Sequence, residues 1–370
     1  MKYSGIGGQA VIEGIMMKNK QDYATAVRKP DGAIAMQRDT YVSLSDKVKL
    51  FSLPFIRGTF AFIDSFVLGM KTLSFSAGIY EGGEEAQESE AQESEAQEGE
   101  SQEGEAQTGE EGGGEETRHS ACGHGAVPDA NEATPETSTE TPARAGSLQE
   151  KGSGGKLEKA VVALTMAVSI VLAVGIFMVL PMFISGLFTR ILPTHAARAV
   201  LEGFIRIGIF VAYIKLVSRM EDIRRTFMYH GAEHKCINCL EHGLELTVDN
   251  VRSSSKQHKR CGTSFLLIVM VISILVFMVV RTDTLWLRAL SRIVLIPVIA
   301  GISYEFLRVA GRSDSKLVDI LSKPGMWMQN LTTKEPDDSM IEVAIVAVEA
   351  VFDWKEYLRE NFGDDLAGNA

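Results

Sequence analysis

The chain has 370 residues, 45% hydrophobic and 23% charged, with a formal net charge of −11 at pH 7. Residues 81–150 hold 20 of the 48 acidic side chains and two of the 37 basic ones, which leaves +7 on the other 300. The acidity is therefore one insert in a mildly basic, apolar chain, and four cysteines in this length exclude a disulfide scaffold.

Met1–Lys20 has no long apolar run, so no cleaved leader is expected. Gly5–Met17 (GIGGQAVIEGIMM) is Gly-rich, with Gln9 and Glu13 its only other polar groups. Thr25–Lys29 and Ile34–Arg38 flank Pro-Asp-Gly, which predicts a β-hairpin. In Leu50–Ser76, apolar residues at helical spacing are interrupted by Arg57, Asp64 and Lys71. That pattern fits an amphipathic helix at the membrane interface, or in a small cytosolic domain, better than a span. Residues 1–80 thus form an N-terminal cytoplasmic or interfacial region.

Residues 85–109 repeat a five-residue EAQES-type unit and then give way to Gly, Glu, Thr and Pro. With no apolar periodicity and strong self-repulsion, 81–155 reads as a disordered linker. His119, Cys122 and His124 lie inside it and are not taken as a metal site.

Residues 156–323 read as a transmembrane domain. Ala160–Thr189 and Gly262–Val280 are uncharged and apolar, long enough for roughly 20-residue helical spans, with a kink or an early end expected at Pro181. Ala199–Val217 and Leu285–Val309 contain charges and are also counted as spans, Arg206 and Lys215 serving as interfacial anchors. Glu305 is expected to pair with Arg308 along its helix. Loop 218–263 carries eight Lys/Arg, against two in 189–205 and three in 281–292. Four spans put this loop and both termini in the cytoplasm. Residues 324–370 form a C-terminal cytoplasmic segment: PGMWMQ at the membrane surface, then an amphipathic helix over about 338–360. The fold class is mainly α, a polytopic membrane protein.

The chemistry-bearing stretch is YHGAEHKCINC, Tyr229–Cys239. On a continuous helix His230 and His234 lie about 40° apart in rotation, with Glu233 beside them. H-x-x-E-H is the inverted zincin order, in which the His pair holds zinc and the Glu activates water. His258 and Cys261 follow where the next span begins, giving a candidate His₃Cys site of His230, His234, His258 and Cys261. Cys236, Cys239, His258 and Cys261 form a rival C-x-x-C…H-x-x-C set. On a continuous helix the two cysteines point roughly 120° or more away from the His face. Four protein ligands would close the site, whereas three would leave a position for water.

GGQAVIEGIMM, YHGAEHKCINCLEHGLELTVDNVRSSSKQHKRCGTSF, GISYEFLR and PGMWMQNLTTKEPDDSMIEVAI occur here in that order. In these the chain resembles the bacterial DUF1385 (YqhQ-like) membrane protein family, over nearly everything except 81–155. The resemblance implies a multi-pass cell-membrane location and a predicted metal-dependent enzyme of no assigned substrate. It maps onto His230, Glu233, His234, Asn238, Cys239, Glu241, His258, Arg260, Cys261 and Gly262. Cys239 and Glu241 are thereby alternative ligands, and Cys236 departs from the family pattern.

Three readings stay open. One is a membrane hydrolase with a divalent metal, zinc, and Glu233 as general base. Another is a non-catalytic scaffold with a structural metal clasp, serving a protein partner or homo-oligomer. The last is a small transporter using Glu305. The lipid bilayer is the expected partner, and no nucleic-acid module or phosphate loop is evident.

Overall fold

The structure, a computed structural model, describes residues 2–44, 48, 51, 53–103, 156–280, 284–310 and 315–363. The chain divides into two compact units, residues 1–90 with 170–370, and residues 91–169. The smaller unit holds the end of α1 (Ile56–Glu103) and the start of α2 (Lys156–Val174). Of the segment read as a disordered linker, 81–103 continue α1 as helical backbone, and 104–155, with His119, Cys122 and His124, lie outside the described residues.

The larger unit opens with a four-stranded antiparallel sheet in the order β1 (Gly7–Val11), β2 (Gly14–Asn19), β3 (Asp22–Arg28), β4 (Ile34–Thr40). The expected hairpin is β3–β4, with Arg28 opposite Ile34 and Gly32 at φ +86°. The Gly-rich segment forms β1 and β2, joined through Ile12 and Glu13. Glu13 takes φ +48°, and Arg225 holds its carboxylate with two bonds of 2.5 Å. Both sheet faces are covered. Ile15, Met17, Ala24 and Ala26 enter the main core, while Met16 and Tyr23 pack on Leu68 of α1.

Among the described residues three helices are long and apolar enough to cross a membrane: Ile56–Tyr80, Leu164–Leu187 and Gly262–Val279. A bent pair, Trp286–Val294 with Ile296–Ala310 at 42°, makes a fourth if counted as one. The second span runs through α2, a π-turn at Gly175–Val179 and α3 (Leu180–Leu187). Pro181 explains that turn: without an N–H, and with its ring against the preceding turn, it shifts the hydrogen-bond ladder.

Next come α4 (His195–Val217), α5 (Glu221–Glu241), α6 (Val248–Ser253) and α7 (Gly262–Val279). They are followed by α8 (Leu285–Val294), α9 (Ile296–Ala310), α10 (Lys316–Thr332), α11 (Asp338–Glu349) and α12 (Trp354–Phe362).

Four local expectations are corrected. Arg206 is no interfacial anchor: it bonds Glu202 at 3.1 Å and the Phe177 carbonyl at 3.1 Å, and Glu202 also takes Arg292 at 2.5 Å. Glu305 pairs not with Arg308 but across to Arg57, at 2.6 and 2.5 Å, because α1 and α9 touch through Gly58 and Gly301. PGMWMQ is inside α10, with Met328 and Gln329 buried, so the boundary drawn at 323/324 falls within a helix. The single helix over 338–360 is two. Asp337 caps α11, and Asp353, accepting from the Glu356 N–H at 2.9 Å, starts α12 afresh.

The main core joins distant parts of the chain: β2 and β3, Tyr229, Ile237 and Leu240 of α5, Ile341, Ala344 and Val348 of α11, and Tyr357 of α12.

Candidate metal centre

α5 runs unbroken from Glu221 to Glu241, so His230 and His234 share one face with ring centroids 4.4 Å apart. Each ring is fixed through Nδ1. His230 Nδ1 lies 3.0 Å from the Thr332 carbonyl and His234 Nδ1 lies 2.6 Å from the Lys256 carbonyl. A carbonyl only accepts, so both Nδ1 atoms carry the proton and both Nε2 lone pairs are left to face the interior. This is how metal-ligating histidines are commonly held.

The chain places those carbonyls deliberately. Thr332 belongs to the segment that crosses α5 at Gly231, where an added Cβ would lie 2.0 Å from the Lys334 carbonyl. Only glycine admits that crossing. Lys256 is held by α5 itself: Asn238 Nδ2 donates to the Ser255 and Gln257 carbonyls at 2.6 and 2.9 Å. Lys235 Nζ donates to those of Arg252 and Ser254, both at 2.9 Å.

Cys261 is the N-cap of α7, its Sγ accepting from the Thr263 N–H at 3.3 Å. The same sulfur lies 3.3 Å from His230 Nε2. Donor atoms of His230, His234 and Cys261 all fall within 4.8 Å of one another, a group that could hold a metal ion. Glu233 sits between the rings, its Oε2 3.9 Å from His230 Nε2 and 3.8 Å from His234 Nε2. A small cavity of about 120 Å³ adjoins them, lined also by Ile6, Gly7 and Gly8. Gly8 touches the carboxylate side chain: a Cβ there would lie 2.8 Å from Glu233 Cγ.

His258 is not in this group. Its ring lies 5.9 Å from that of His234, and its Nε2 turns to Glu241 at 3.4 Å and Arg260 at 3.3 Å. Glu241 is fully buried and accepts from the Ser4 N–H and Oγ, at 3.0 and 2.9 Å, and from Arg260. Burial alone would push its carboxyl up; the bonds from His258 and the Ser4 N–H and the charge of Arg260 outweigh it and hold the carboxyl at about 2. Glu241 is thus engaged elsewhere, as is Cys239, whose Sγ faces the Glu245 carbonyl at 3.3 Å and whose thiol burial pushes up to about 11. Cys236 lies in the main core. The C-x-x-C set does not converge, for the reason the helix rotation gave.

Sequence reasoning missed Thr332, Lys256 and Gly8. The first two act through backbone carbonyls, which leave no residue-type signature. The paired glycines of GIGGQAV were the only signal for the third.

Comparison with known proteins agrees on the family. The family described as "Protein of unknown function (DUF1385)" matches residues 53–354. The chain is 33% identical over 343 residues to "Uncharacterized protein YqhQ" of Bacillus subtilis (strain 168), covering 92% of this chain and 89% of that protein. No solved structure matches. The chain belongs to the DUF1385 family.

Proposed function

We propose that this protein is an integral membrane hydrolase built on a zinc centre held by His230, His234 and Cys261, with Glu233 as general base. The observation that carries the reading is the pair of Nδ1 bonds to Thr332 and Lys256, which leaves two Nε2 lone pairs facing a buried thiol. Imidazole and thiolate suit zinc, and three protein donors leave one position open. His258, drawn off by Glu241 and Arg260, does not close it. A zinc ion bound there would supply Lewis-acid chemistry. Glu233, 5% exposed and equidistant from both rings, is the side chain that takes a proton from the attacking water and returns it to the leaving group.

In the proposed topology, α2–α3, α4, α7 and the bent pair α8–α9 cross the bilayer, with the sheet, α5, α11 and α12 on the cytoplasmic side. Supporting this, the outward faces of the spans are apolar: Val171 and Val279 are 71% and 79% exposed. The charges that keep α4 from reading as a span are buried and paired, Glu202 with Arg206 and Arg292.

Elemental analysis of the purified full chain should give about one zinc per chain. Glu233→Gln should keep that zinc while cutting turnover of fluorogenic amide and ester substrates by about 100-fold or more. If Glu233→Gln instead loses zinc as His234→Ala does, Glu233 is a fourth ligand, and the centre is a structural clasp between α5 and α7.

A further inference from the structure

β1 is an edge strand, and its free side opens on a cavity that reaches the metal centre. The register fixes which of its groups are free. Val11 faces Gly14 across the two-residue turn, so Val11, Gln9 and Gly7 bond to β2, and Gly8 and Ala10 turn their N–H and C=O groups the other way. The next pair agrees: the Arg28 N–H donates to the Glu13 carbonyl at 2.8 Å, which puts the odd-numbered residues of β2 on the β3 side. Among the described residues nothing bonds the outward groups of Gly8 or Ala10. A cavity of about 820 Å³ lies along this edge, between β1, residues 61–68 of α1 and the α5 stretch ending at His230. That volume falls in the roughly 300–1,000 Å³ range of ligand clefts. Gly7 and Gly8 line both this cavity and the smaller one at Glu233, His234 and Cys261.

We infer that the β1 edge takes an extended polypeptide as an added strand and lays one of its peptide bonds against the metal centre. Alternating free N–H and C=O groups one strand-repeat apart are complementary to another extended backbone, which satisfies donor and acceptor together. A compact ligand would leave some of these groups unpaired. The glycines serve the same end. Gly8 leaves the strand in contact with Glu233, and Gly7 is exposed, with open space where its Cβ would be, at the place where the two cavities meet. The assignment of polypeptide as substrate rests on the hydrolytic reading of the centre; the strand pairing itself needs no ion. In the hydrolysis, the oxygen of one water bonds to the carbonyl carbon, the C–N bond breaks, and the proton held by Glu233 passes to the departing amine.

The test uses the full chain in detergent and a labelled peptide of about eight alternating valines and threonines, alongside the same peptide N-methylated at alternate backbone positions. Unmethylated peptide should bind at least about tenfold more tightly, the size expected from losing two backbone hydrogen bonds. Ala10→Pro replaces the outward N–H with a ring carbon while sparing the β1–β2 bonds. It should weaken the unmethylated peptide by a similar factor with zinc content unchanged. Equal binding of the two peptides, or no binding of either, overturns the pairing, and this arm needs no variant to fold. Binding that survives Ala10→Pro in a protein of unchanged circular dichroism overturns it as well. Chelator-stripped protein should still bind; peptide bound but never cut sinks the hydrolytic reading and leaves the pairing standing.

Discussion

What separates His230 and His234 from His258 is where each ring's proton is committed. The first two spend Nδ1–H on backbone carbonyls, whereas His258 turns Nε2 to the Glu241 carboxylate, which Arg260 also holds. On the proposed zinc reading, replacing His230, His234 or Cys261 by Ala should therefore strip the metal on dialysis, while His258→Ala retains it; elemental analysis of the four variants separates the ligand set. Asn238→Ala, which frees the loop that carries the Lys256 carbonyl, should weaken metal affinity by about 10–100-fold without removing a ligand. Glu241 supplies a pH signature. Its carboxyl is held at about 2 in the fold against an ordinary 4.5, so its stabilising contribution is complete above pH 4.5 and is lost as pH falls towards 2. Acid unfolding followed by circular dichroism should show that loss, and Glu241→Gln should remove the share of the dependence that Glu241 contributes, leaving that of other carboxylates held low, Asp39, Glu335 and Asp338 among them. That variant should also cost about 3 kcal/mol at neutral pH, because Arg260 and His258 lose their buried partner. The shared face of the His pair and Glu233 was legible because helical spacing fixes direction. The H-x-x-C spacing put His258 and Cys261 at the start of the next span without saying which way either side chain turns, and the structure brings only Cys261 of the two into the group with the pair.

At the scale of elements, the centre depends on three pieces meeting: α5, the loop before α7, and the strap from α10 to α11. The strap crosses α5 at Gly231 with no room for a methyl group. Gly231→Ala should destabilise the fold by about 1–3 kcal/mol through overpacking, and it should loosen the metal by moving Thr332 off His230. Thermal melts and a competitive chelator titration measure the two effects separately. The hairpin β3–β4 was readable because Pro-Asp-Gly punctuates two alternating runs. β1 and β2 were not: a sheet covered on both faces loses the alternation that marks a half-buried strand, and glycine hides what remains. α10 was hidden by Pro324, which the helix tolerates in its interior. The strap's glycine partner is likewise a tertiary fact. Nothing around Gly231 in sequence announces a chain passing over it.

The whole molecule adds a counting rule. Asn19 of β2 donates to the Val351 carbonyl at 3.0 Å, the Tyr357 hydroxyl donates to the Lys2 carbonyl at 2.9 Å, and the Lys2 N–H donates to the Glu241 carbonyl at 2.9 Å. The N-terminal sheet, α5 and the C-terminal helices share one core, so they lie on one side of any bilayer, and the chain crosses an even number of times between each. Between α7 and α11 the candidate crossings among the described residues are α7 and the bent pair. Between β4 and α5 the count admits α2–α3 with either α1 or α4. By length and apolarity α1 is the better candidate. Its side chains argue otherwise: Asp64 accepts from Tyr41 and Ser43 at 2.9 and 2.8 Å, Lys71 reaches Asp39 at 2.7 Å, and Ser76 accepts from the Ile12 N–H at 3.3 Å. A helix bonded to the sheet along that length lies beside it rather than leaving through the membrane. In the proposed topology α4, with its charges paired inside the bundle, makes the crossing, and the positive-inside rule applied to the basic residues of 218–263 assigns the shared side to the cytoplasm. Reporters fused after Leu192 and after Glu245 decide between the two: they should read opposite sides if α4 crosses. Both on the same side would hand the crossing to α1, at the cost of its bonds to Asp39, Tyr41 and Ile12.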